Sequence, residues 1–120
     1  MKKVFAAASL LVLFCVAFAG CRSAFVSATI TNQGSAPAKL VEVDYPSASF
    51  GVGAIAPGAQ FRYRFKIQGD GPIKLQYTDA SGKVQTGTGP DLHEGQQGSI
   101  DVLIDPSGKI SWKLNLSQNR

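Results

Sequence analysis

The sequence predicts an all-β fold: one antiparallel sandwich with about eight short strands behind an N-terminal leader. Three observations carry this. From residue 24 onward apolar side chains recur at every second position. That period is the one that puts alternate residues on one face of a strand. Clusters of Gly, Pro, Asp, Asn and Ser interrupt these runs, as turns do between short strands. No stretch of the domain sustains a helical period.

Taken in order, Val26, Ala28 and Ile30 form a weak first strand. Asn32-Gln33-Gly34-Ser35 marks a reversal. Val41, Val43 and Tyr45 then alternate with Glu42 and Asp44, and Phe50 with Val52 suggests another short strand. Pro57-Gly58 breaks the chain before the clearest alternation of all, residues 60–67. There Phe61, Tyr63, Phe65 and Ile67 share one face, and Gln60, Arg62, Arg64 and Lys66 the other.

Gly69-Asp70-Gly71-Pro72 is expected to reverse the chain between two neighbouring antiparallel strands. The second of these carries Ile73, Leu75 and Tyr77 alternating with Lys74 and Gln76. Asp79-Ala80-Ser81-Gly82 and Asp105-Pro106-Ser107-Gly108 share one pattern: a type I turn, then glycine in the left-handed region. Residues 84–88 read as a polar edge strand, and Gly87 to Gly98 as a longer polar loop. Ile100, Val102 and Ile104 form the next strand. Ile110, Trp112, Leu114 and Leu116 form the last.

The segment from Ala28 to Phe65 resembles immunoglobulin-like modules of bacterial surface proteins. Asn32 and Gly34 match their turn, Val41 and Val43 the following strand, and Pro57-Gly58 the break before a Phe-rich strand. The resemblance implies an architecture and no activity.

The leader is of a different kind. Lys2 and Lys3 precede an uncharged apolar run from Val4 to Ala19, which suits a signal-peptide core and is short for a membrane span. Phe18-Ala19-Gly20-Cys21 resembles a bacterial lipobox, with Phe18 where an aliphatic residue is usual. This resemblance implies a signal peptide over residues 1–20, an acylated Cys21, and a tether over 21–23 ahead of the domain at 24–120. Its implied partner is a membrane. Arg22, rather than Asp, follows the cysteine, which favours the outer membrane in a Gram-negative cell. Two alternatives stay open. Ala17-Phe18-Ala19 also fits cleavage that releases a soluble secreted protein, and an uncut leader would act as an anchor.

Charge narrows the function classes. The chain has 12 basic and 8 acidic residues. Once Lys2 and Lys3 go with the leader, the excess is only two. Nucleic-acid binding, which needs clustered Lys and Arg, is not expected. Arg62, Arg64 and Lys66, extended by Lys74 on an expected neighbouring strand, form a candidate contact for anionic lipid or acidic polysaccharide. Phe25 and Leu103 fall out of phase with their strands and are candidates for a small contact patch.

Catalysis and cofactors are not expected. His93 is the sole histidine, flanked by Asp91 and Glu94. Zinc and blue-copper sites want more His or Cys ligands than the domain offers. There is no Gly-x-Ser-x-Gly elbow, and acylation would block Cys21. The reading is thus a non-catalytic envelope binding or accessory module. Its contacts are expected at the strand edges and the 87–98 loop, with envelope proteins among the partners. The alternative is a periplasmic inhibitor that blocks an enzyme with an exposed loop.

Overall fold

The computed structural model describes residues 24–118, and its eight strands all belong to one sandwich. They are β1 (Val26–Asn32), β2 (Ala38–Tyr45), β3 (Ala48–Ile55), β4 (Gln60–Phe65), β5 (Gly71–Thr78), β6 (Val84–Leu92), β7 (Gln96–Ile104) and β8 (Ile110–Gln118). The first sheet has the order β4-β1-β7-β8 and the second β3-β2-β5-β6. All neighbouring pairs are antiparallel except β1 and β7. Strands 1 and 2 lie in opposite sheets, whereas a constant-type immunoglobulin domain keeps its first two in one.

The period-two pattern builds the core directly. Val26, Ala28, Ile30, Ile100, Val102 and Ile104 come from the first sheet, and Val41, Val43, Ile73, Leu75 and Tyr77 from the second. Each is at most 4% exposed. Their polar neighbours in the chain face outward, so one sheet meets the other through two apolar faces.

Three hairpins stay within a sheet: β2–β3, β5–β6 and β7–β8. The last two close on the paired Asp turns. Asp79 Oδ1 accepts from the Ser81 N–H at 2.9 Å, the Lys83 N–H at 3.0 Å and the Ser81 hydroxyl at 2.6 Å. Asp105 Oδ1 does the same with Ser107 and Lys109. Gly82 and Gly108 take φ of 84° and 86°, as this turn requires.

The other four connections cross between sheets, and the expected pairing fails at one of them. Gly69-Asp70-Gly71-Pro72 does not join hairpin partners. It carries the chain from β4 in the first sheet to β5 in the second. A Gly-Pro turn reverses the chain equally well in either setting.

A second correction concerns residues 87–98. This stretch is no loop: β6 runs on to Leu92, a short turn spans 93–95, and β7 begins at Gln96. Leu92 is fully buried. Gly87 and Gly89, which resemble loop residues, are glycine because β8 lies over them. A Cβ on Gly89 would stand 2.8 Å from both Ile73 Cγ2 and Trp112 Cδ2, and one on Gly87 2.8 Å from Ile110 Cβ.

Asn32 fixes the crossing from β1. It is 1% exposed. Its Nδ2 donates to Ala36 O and Ile55 O at 2.9 Å each, and its Oδ1 accepts from the Gly34 N–H at 2.9 Å. The Asn-x-Gly signal thus binds the β1–β2 connection to the end of β3.

Candidate functional site

The basic stripe forms on β4, an edge strand of the first sheet. Arg62 and Arg64 are exposed on its outer face, with Lys66 just beyond its end. Register places Arg64 opposite Ser27 and Arg62 opposite Thr29 of β1. Their immediate neighbours on β1 are therefore hydroxyls, with Asp101 one strand further on, beyond Thr29. Among the described residues the ion pair within reach is His93–Asp70, at 3.8 Å and well exposed.

Phe25 joins the stripe. Its ring lies 4.1 Å from the Arg64 guanidinium carbon and 5.2 Å from Lys66 Nζ, both cation–π contacts. This explains why Phe25 breaks the alternation: it packs under the basic stems on the outer face. Leu103 is half-buried within β7, beside Thr31 and Ser111.

Lys74 does not extend the stripe. It sits on β5 in the other sheet, opposite Asp44 and Thr88. The crossing at residues 66–70 puts the two groups on opposite outer faces. Cys21 lies outside the described residues.

His93 is exposed in the β6–β7 turn, where its N–H donates to Gln96 Oε1. Asp91 faces outward on β6, and the Glu94 N–H donates to Asp70 Oδ1. These groups do not converge. Among the described residues no cluster of three His, Cys, Asp or Glu could hold a metal ion.

At the far pole, a cleft of about 310 Å³ opens between the paired Asp turns and residues 32–38. Its polar groups are already engaged. Asp79 Oδ2 accepts from Gln85 Nε2, and the Tyr77 hydroxyl donates to Gly108 O at 2.7 Å. The Ser81 hydroxyl first, then Gln85 and the Lys83 N–H, hold the Asp79 carboxyl well below the usual range. The Ser107 hydroxyl first, then the Lys109 N–H, lowers Asp105 likewise. Burial, then the two nearby carboxylates, pushes the Tyr77 phenol up.

The four edge strands differ. β4 carries Arg62 and Arg64, and β8 carries Lys113. β6 has Pro90 and a register shift against β5. Charge, proline and bulges are the usual protections of a sheet edge. β3, Ala48-Ser49-Phe50-Gly51-Val52-Gly53-Ala54-Ile55, has no charge and no proline. Among the described residues no backbone–backbone bond leaves its outer side.

Beside β3 an aromatic cluster fills the gap to β4. Phe50 stacks on Tyr63 at 4.3 Å, and Tyr45 meets Phe65 at 4.1 Å. Alternation puts Tyr63 on the same face as the buried Phe65, yet it is 42% exposed. It sits on an edge strand at the open flank of the sandwich. No sequence signal distinguishes it from Phe65. Leu40 was also missed as an exposed residue: it is 69% exposed, with φ of 50°. It lies where β2 shifts register against β5, and the adjacent pair Leu40-Val41 breaks the alternation.

No family model and no curated protein matches the chain. Among solved structures, that of a protein from Eubacterium rectale is similar, with a TM-score of 0.55 and 14% identity. The match covers 79% of this chain and 90% of that one. At this identity it bears on the fold alone.

Proposed function

We propose that this chain is a non-catalytic lipoprotein of the cell envelope whose sandwich binds an extended segment of an envelope protein along β3. The leader and Cys21 support the location. The unguarded β3 edge carries the binding role. An open edge offers alternating N–H and C=O groups that an incoming strand pairs with, while side-chain contacts supply selectivity. The half-exposed Tyr63 lies on the same flank and gives such a segment an apolar surface.

Photo-crosslinking in cells tests this. A crosslinker at Ser49 on β3 should capture a discrete envelope protein, and one at Thr86 on β6 should not. Gly53→Lys, whose new Cβ meets nothing within 4 Å, should abolish that capture while leaving the fold intact. Equal capture from both strands, or capture unaffected by Gly53→Lys, would overturn the β3 assignment.

A further inference from the structure

We infer that Phe25, Arg62, Arg64 and Lys66 form a lipid-contact surface that lays the first sheet against an anionic bilayer. This rests on the reading of Cys21 as the membrane anchor and adds an orientation for the domain.

Three observations carry it. The first is where the chain enters. β1 begins at Val26, paired with Phe65, so the chain enters the sandwich beside the end of β4. Phe25 lies four positions after Cys21, a reach of about 14 Å when fully extended. An acyl chain at Cys21 would hold this corner of the sandwich at the headgroups.

The second is chemistry. Lys66, Arg64 and Arg62 run along β4 from that corner, alternate residues on one face standing about 7 Å apart. No carboxylate lies within 4.0 Å of them among the described residues. Ser27 and Thr29 alongside them add hydroxyl donors for phosphate oxygens. Phe25, half-buried between Arg64 and Lys66, joins an apolar ring to cations, the pairing that suits an interface of headgroups and acyl chains.

The third is asymmetry. The outer face of the second sheet mixes Lys39 and Lys74 with Glu42, Asp44 and Asp91. The outer face of the first sheet carries Arg62, Arg64, Lys66 and Lys113 against the single acid Asp101, which lies beyond Thr29 and opposite Lys113. Acylation at Cys21 would fix one point of the domain at the bilayer, and a basic surface beside that point would fix which face turns toward it. With this face toward the bilayer, the outer face of the second sheet turns away from it.

Flotation with vesicles tests the surface apart from acylation. A chain starting at Arg22 contains every strand and the whole core. It should bind vesicles containing phosphatidylglycerol and not pure phosphatidylcholine, and added salt should weaken binding. At about fivefold per cation, changing Arg62, Arg64 and Lys66 together to Gln should weaken partitioning about 100-fold. Phe25→Ala should weaken it further, and Lys74→Gln should leave it unchanged. Equal effects of Lys74→Gln, no preference for anionic vesicles, or binding to an acidic polysaccharide alone would overturn the inference. None of these outcomes bears on whether Cys21 is acylated, which acyl mass reports separately.

Discussion

Residues with short polar side chains set the corners of this molecule. Asn32 uses both amide hydrogens and its carbonyl oxygen to bind three backbone groups at the first crossing. Asp79 and Asp105 each gather two N–H groups and a hydroxyl into a hairpin turn. These roles were legible as turn signals, because Asn and Asp reach their own backbone two residues on. The bond from Asn32 to Ile55 O was not, since it spans 23 positions. The Asp turns imply a pH dependence. Both carboxyls are held below their ordinary value when folded, so the charged form favours the native state. That contribution is present above about pH 4, the value in an unfolded chain, and is lost as pH falls toward the folded values. Urea midpoints should therefore decline on acidification below about pH 4. Changing both residues to Asn, which keeps the acceptor oxygen, should flatten that decline. An unchanged acid slope would show that other carboxylates govern it.

At the scale of elements, alternation identified every strand except the second half of β6 and the start of β7. Gly87, Gly89 and Pro90 look like loop residues because nothing local shows that Ile110 and Trp112 occupy the space above them. Which sheet each strand joins was equally hidden. Phe61, Tyr63 and Phe65 alternate in the same way whether their neighbour is β1 or β5. Lys74 was misplaced for that reason, and edge position leaves no local mark that would separate Tyr63 from Phe65. The glycine account makes a paired prediction. Gly89→Val forces a branched side chain against Ile73 and Trp112 and should lower stability by about 1–3 kcal/mol, the usual cost of overpacking. Gly53→Val, with open space at its Cβ, should be neutral or stabilising in the same urea titration. Equal losses at both positions would mean that general strand effects, not the Trp112 contact, explain the glycine.

The whole molecule separates its surfaces by chemistry. One flank is closed by Ile110 and Trp112 over the β6 glycines. The other is open at β3 and Tyr63, and the outer face of the first sheet carries the unpaired cations. The sandwich class was readable because its period and turns are local; the division of surfaces was not, because it depends on which strands end at the edges. The proposed membrane attachment would give these surfaces a common frame, and it turns on Cys21. The most direct measurement is the intact mass of the mature protein extracted from membranes, with Cys21→Ala alongside. The expected result is a chain beginning at Cys21 with added acyl mass, and no acyl mass on the variant. A wild-type chain that begins at Gly20, lacks acyl mass and leaves the membrane fraction would contradict the account.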